Sequence, residues 1–298
     1  MTWKRVATAL VLIPVVVGLV LFTSTAAVAV ATAVITVLAL WEYFALGEAI
    51  GHRAYRILTV SCSLLLIYVQ WRVLRPFAYL SVSVSNGAVG LRPGPSPGFN
   101  RISAMYSMGS IFFVFVLGLT VFVLWTRRPL VEALPAAGIS SSALLLVAFP
   151  LSFAVRLHGF PFDGPRLLLF ALVITWAGDT VAYFVGRAMG KHPLAPRISP
   201  KKSWEGSVGS MVGSLIVAWA FGYWIRIPIG HLVAMAVIGN VAGQMGDLLE
   251  SAYKRSAGVK DSGGLLPGHG GVLDRIDALI LCIPVIWYYL VLVNPVTN

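Results

Sequence analysis

Charge is what this chain has least of. Only 11% of its 298 residues are Asp, Glu, Lys or Arg, against roughly 25% in an ordinary soluble domain, and 58% are hydrophobic. That shortage excludes a water-soluble globule. The two cysteines, Cys62 and Cys282, stand alone in apolar runs, which excludes a disulfide framework or a zinc site by spacing. No G-x-x-x-x-G-K-[ST] loop occurs, so the chain has no Walker A phosphate cradle. GPSPG at Gly94 to Gly98 matches G-x-S-x-G in letters, but that elbow needs a strand before it and a helix after it, and prolines on both sides of Ser96 leave neither. Internal repeats and polar linkers are also missing. One membrane domain with two unequal halves follows, residues 1–157 as a transmembrane scaffold and residues 158–298 as the half that carries chemistry.

What is present is a series of apolar runs. A helix needs about 20 mostly apolar residues to cross a bilayer, because in lipid the backbone must satisfy its own hydrogen bonds, and the sequence offers about nine such runs. They span Val6 to Phe22, Thr25 to Leu46, Tyr55 to Trp71, Tyr106 to Trp125, Ile139 to Leu157, Leu167 to Val185, Ser207 to Ile225, His231 to Glu250 and Ile276 to Val293. The expected fold is an all-α polytopic membrane protein. With the N-terminus inside, 15 of the 22 Lys and Arg fall in inside segments, so the positive-inside rule puts the N-terminus in the cytoplasm and the C-terminus outside. Lys4 and Arg5 before an apolar run, followed by AAVAVA, resemble a signal peptide. The run is longer than most signal cores and a second span follows at once, so an uncleaved first span is expected. A net charge of +11 would suggest nucleic acid in a soluble protein, but no basic face interleaved with exposed aromatics is visible, so no nucleic-acid partner is expected.

Seven of the eleven acidic residues fall between positions 179 and 277, several inside or at the edge of an apolar span. A carboxylate in the hydrocarbon region costs about 2.5–3.5 kcal/mol, so each one demands a partner, a cavity or an ion. Asn240, Gln244, Asp247 and Ser251 lie on one face of the eighth span at helical spacing. Hydrogen bonding between helices accounts for Asn240 and Gln244 but poorly for Asp247. Gly239 and Gly243 on a neighbouring face read as close helix packing. Asp179, inside TWAGDTVAYFVGR, has a structural hydrogen bond as its competing reading. The stretch KDSGGLLPGHGGVLDRID, Lys260 to Asp277, sets five glycines before Asp274 and Asp277 at the start of the last helix. Glycines let a backbone approach a ligand and turn N–H groups toward it. The helix N-terminus attracts anions. With Lys254, Arg255, Lys260, His269 and Arg275 nearby, the loop suits a phosphate chain carrying a divalent metal, since Mg²⁺ prefers carboxylate and phosphate oxygens. ISPKKSWEGS, Ile198 to Ser207, adds Lys201 and Lys202 on a second inside loop, with headgroup attraction as their alternative role.

From Ser251 to Asp277 the chain resembles the signature of the phosphatidate cytidylyltransferases, also called CDP-diacylglycerol synthases. Ser251, Lys254, Arg255, Lys260, Asp261, His269, Gly270, Gly271, Asp274, Arg275 and Asp277 fill its slots. Tyr253 departs from it, standing where the pattern usually has an aliphatic residue. PKKSWEG and WAGDTVAYFVGR are also similar to the family. The resemblance implies transfer of CMP from CTP to phosphatidic acid, dependence on Mg²⁺ or on Mg²⁺ with a second cation, about nine helices in the plasma (inner) membrane with the site facing the cytoplasm, and a homodimer. It implies metal at Asp247 and Asp274, with Asp277, Asp261 and Asp179 as further candidates. Asp247, Asp274, Lys260 and Arg275 become the expected catalytic group. Lys201, Lys202, Ser251, Lys254, Arg255, His269, Gly270 and Gly271 become the expected phosphate contacts. Two rival readings remain at this point, a CTP-dependent lipid kinase and a cation-coupled transporter.

Overall fold

The computed structural model describes residues 2–73, 80–85, 88–93, 108–126, 128–161, 163–265 and 270–293. Nine long helical segments run through them: α1 Thr2–Phe22, α2 Thr25–Ala49, α3 Arg56–Val73, α4 Met108–Trp125, α5 Leu130–His158, α6 Gly164–Met189, α7 Trp204–Phe221, α8 Ile229–Ser256 and α9 Leu273–Val293. Each of the nine apolar runs lies mainly on one of them. Six helices, α2, α4, α5, α6, α8 and α9, are long and apolar enough to cross a membrane, while α1, α3 and α7 fall short of that standard among the described residues. Two antiparallel hairpins interrupt the helices, β1 Leu80–Ser85 with β2 Ala88–Pro93 and β3 Pro193–Ala195 with β4 Ser199–Ser203. β2 ends directly before Gly94, so a strand does precede GPSPG, against the expectation from its prolines; residues 94–107 lie outside the described residues.

Local sequence explains the helix ends and irregularities. Ser24 accepts a hydrogen bond from the Ala27 N–H and Ser203 accepts one from the Gly206 N–H, so α2 and α7 begin on a side-chain cap. α5 widens into a π turn over Leu144–Ala148 just before Pro150, whose ring cannot donate to the preceding turn.

The main core is built from α2, α5, α6, α8 and α9, with Leu40, Phe44, Phe153, Phe170, Ile174, Leu232 and Met235 fully buried. Large apolar side chains such as Phe113, Trp125, Phe184, Val208 and Trp219 stay exposed on the outer helix faces, where lipid rather than water suits them.

Small residues set how closely the site helices approach. A Cβ on Gly209 or Gly213 would lie 2.9 Å from Val185 or Val181, so α7 lies directly on α6. Gly239, Gly243 and Gly246 do the same for α8 against α9 and α6; a Cβ on Gly246 would stand 2.4 Å from the Asp277 carbonyl. The packing role expected of Gly239 and Gly243 is the one they have.

Candidate functional site

Three elements bring the polar residues to one end of the α6–α9 bundle. α8 carries Asp247, Glu250, Ser251 and Lys254 along its last three turns, α9 starts with Asp274 and Asp277, and α6 contributes Asp179. The β3–β4 hairpin folds over them with Lys201 and Lys202 on β4.

The hairpin is anchored at both ends. Glu205, in the first turn of α7, accepts hydrogen bonds from the backbone N–H groups of Lys191 and His192, and its Oε1 lies 2.6 Å from the His192 ring. Its own backbone N–H and the His192 ring hold the Glu205 carboxyl at about 2, below its ordinary 4.5. Arg255 donates to the Ile198 carbonyl at 3.2 Å, tying the hairpin to the end of α8. The arginine expected to meet phosphate thus has a structural contact as well.

The polar stripe on α8 divides as the sequence suggests. Asn240 donates to Ser210 and Ser214 of α7 at 2.8 Å each, and Gln244 donates to Asn240 Oδ1 at 2.6 Å while accepting from Ser207. These bonds fasten α7 to α8. Asp247 instead forms an ion pair with Lys202 and accepts from Ser251 at 3.4 Å. A cleft of about 290 Å³ opens beside this pair, lined also by Asp179, Lys201, Ser207 and Gln244.

The carboxylates form two groups. Asp179, Asp247 and Asp277 bear on one another electrostatically, and Lys202 and Arg275 oppose the charge of Asp179. Asp274 belongs to the other group: Lys254 Nζ is 2.6 Å from its Oδ1, and the backbone N–H groups of Ser262 and Gly271 donate to it at 3.1 and 2.8 Å. The same Lys254 Nζ is 2.5 Å from Oε2 of the buried Glu250, whose Oε1 has no hydrogen bond. Asp274 therefore has its oxygens occupied by the loop and Lys254, whereas Asp179, Asp247 and Asp277 act mainly on one another, with Lys202 paired to Asp247.

No three His, Cys, Asp or Glu side chains among the described residues are arranged as ligands of one ion. Mg²⁺ does not need that. It usually keeps several waters and binds through one or two carboxylates plus substrate phosphates, so the hard oxygen donors gathered around Asp247 and Asp277 fit it.

Lys260 and Asp261 are exposed on the loop, and Arg275 is exposed at the start of α9. Gly270 has φ +80°, a left-handed backbone position, and a Cβ there would meet Asp274 Oδ2 at 2.7 Å. Gly271 donates to Asp274, so these two glycines shape the loop around a carboxylate. His269 lies outside the described residues.

Sequence reasoning missed Glu42. This residue of α2 is only 3% exposed; its Oε1 accepts from the Val272 N–H at 2.9 Å, and its Oε2 accepts from the Ser262 hydroxyl at 2.9 Å and the Leu273 N–H at 2.8 Å. Its signal was present: a carboxylate within the second apolar run, near its end, which must find partners.

The model of the cytidylyltransferase family matches residues 3–293. The phosphatidate cytidylyltransferase of Haemophilus influenzae is 40% identical over 172 residues, covering 55% of this chain and 59% of the relative. Those of Staphylococcus haemolyticus and Staphylococcus saprophyticus are 45% and 46% identical over 126 residues, covering 42% of this chain and 48% of each relative. The matched stretch thus spans about half of each relative's length. The chain belongs to the cytidylyltransferase family.

Proposed function

We propose that this member of the cytidylyltransferase family transfers CMP from CTP to the phosphate of phosphatidic acid, releasing pyrophosphate and leaving CDP-diacylglycerol in the membrane. The observation that carries the reading is the meeting of the acidic group on α6, α8 and α9 with the lysines of the β3–β4 hairpin beside one cleft. Phosphatidate is a phosphate monoester whose second pKa lies near about 6, by analogy with phosphorylated side chains, so near neutral pH it is already mostly a dianion. It needs no general base. An oxygen of the lipid phosphate forms a bond to the α-phosphorus of CTP, and the bond from that phosphorus to the bridging oxygen breaks as pyrophosphate departs.

The obstacle is repulsion between two polyanions. Lys201, Lys202, Lys260 and Arg275 oppose it from the hairpin, the loop and the start of α9, while Lys254 keeps Asp274 in place. Asp247 and Asp277, with Asp179 beside them, would hold Mg²⁺; when bound, the ion supplies positive charge at phosphate oxygens and helps keep the reacting groups in line. Asp274 serves the same site by ordering the loop. Asp261, exposed on that loop, is a weaker candidate for the metal.

The site faces the cytoplasm, a reading that the excess of Lys and Arg in the inside segments supports, and the protein works as a homodimer in the plasma membrane. Purified protein incubated with Mg²⁺, phosphatidate and CTP labelled at the α-phosphate should yield labelled lipid. No label from α-labelled CTP, with label from γ-labelled CTP in a parallel incubation, would replace this reading with a lipid kinase.

A further inference from the structure

Glu42 is the buried carboxylate for which the proposed chemistry has no use. It lies 220 and 231 residues before Ser262 and Leu273, yet both donate to its Oε2, while Val272 donates to Oε1. Ser262 stands at one end of the glycine loop; Val272 and Leu273 stand at the other, where α9 begins. One carboxylate therefore fastens both ends. No Lys or Arg pairs with it among the described residues, and its charge is satisfied by three neutral donors at a helix N-terminus.

The contact is tight and shared. A Cβ on Gly263 would lie 2.6 Å from Glu42 Oε1, and one on Gly271 would lie 2.3 Å from Oε2, so the loop has glycine where it passes the carboxylate. Ser262 links the two acids directly: its hydroxyl donates to Glu42 while its N–H donates to Asp274. The next residue, Tyr43, donates its hydroxyl to Ser142 at 2.9 Å and sets its ring edge-on to Tyr253 near the end of α8, with centroids 5.8 Å apart. α2 thus touches the loop ends of α8 and α9, two of the three helices that carry the site's carboxylates. An ordinary helix cap would come from the adjacent chain and would close one end only.

We infer that Glu42 is a positioning residue, through which the first half of the chain holds the glycine loop and the start of α9 in one arrangement against α8. This rests on the proposed cytidylyl transfer for its activity readout; the geometric part stands without it. Glu42→Gln keeps the size but replaces an acceptor oxygen with a donor NH₂, which cannot serve all three donors.

The experiment compares full-length wild type, Glu42→Gln and Ser262→Ala in detergent, reading amide exchange over residues 259–273, melting temperature, and kcat and KM for CTP. Glu42→Gln should speed exchange at Val272 and Leu273 by on the order of tenfold or more and lower kcat/KM by a similar or larger factor, while helices away from the loop exchange as before. Ser262→Ala, which loses one of the three bonds, should show a smaller change in the same direction and is the milder variant should Glu42→Gln fail to fold. Unchanged exchange in whichever variants fold would overturn the tether. Faster exchange with unaltered kcat and KM would overturn the positioning role. A wild type that transfers no CMP would end the proposed function and leave the exchange result to decide whether Glu42 holds the loop.

Discussion

Lys202 of the β3–β4 hairpin forms an ion pair with Asp247 of α8, so a cation expected to meet phosphate and a carboxylate expected to meet metal neutralise one another across the cleft. Substrate and Mg²⁺ would have to separate them, each taking one partner. Replacing Asp247 with Asn should lower CMP transfer by at least about 100-fold, because electrostatic groups at a reacting phosphate are among the largest contributors to rate. Turnover with α-labelled CTP across a Mg²⁺ titration measures it, and near-normal turnover would remove Asp247 from the metal site.

Asp274 and Asp277 sit three residues apart but should respond oppositely to neutralisation. Asp274→Asn weakens the contacts to Lys254, Ser262 and Gly271 and should cost about 2 kcal/mol or more of stability. Asp277→Asn removes repulsion with Asp179, Asp247 and Glu250, and should leave the melting temperature level or higher while activity falls. Thermal unfolding in one detergent, with activity alongside, separates the two; equal destabilisation would contradict the division into two groups.

Gly246 has no room for a methyl group, since its Cβ would be 2.4 Å from the Asp277 carbonyl. Gly246→Ala should push α8 from α9, costing about 1–3 kcal/mol. Gly230→Ala, with open space at its Cβ, is the control and should not lower the melting temperature comparably.

The hairpin anchor has a defined acid limit. The Glu205 carboxyl is held at about 2 rather than 4.5, so its contribution is fully present above about pH 4.5 and disappears as pH falls through about 2. Glu205→Gln should therefore loosen residues 191–203 near pH 6, measured by amide exchange, whereas lowering wild type from pH 6 to pH 4 should not remove the carboxylate's contribution.

Orientation can be read with one thiol. Cys62 and Cys282 are buried, and Ser256 is exposed at the end of α8, so Ser256→Cys offers a reactive position over a low background. An impermeant reagent should label it only from the cytoplasmic side. Labelling from outside alone would reverse the topology.

Sequence pattern made the helices legible because apolar runs of spanning length allow the backbone few other choices. It also separated Asn240 and Gln244, which bond to α7, from Asp247, which faces Lys202. What it did not reach were relationships between distant positions. The pairing of Asp274 with Lys254 depends on how α8 and α9 pack, and sequence offset gave no reason to treat Asp274 differently from Asp247. Glu42 was hidden for the same reason: its partners lie more than 200 positions away and include two backbone N–H groups, which no side-chain motif announces.

Synthesis runs from one end, so the second helix emerges long before the loop its carboxylate will hold. During that interval Glu42 has none of the Ser262, Val272 and Leu273 donors it finally keeps. Two of the three come only with the start of the last helix, so a chain cut short ahead of Val272 would leave this acid with the Ser262 hydroxyl alone.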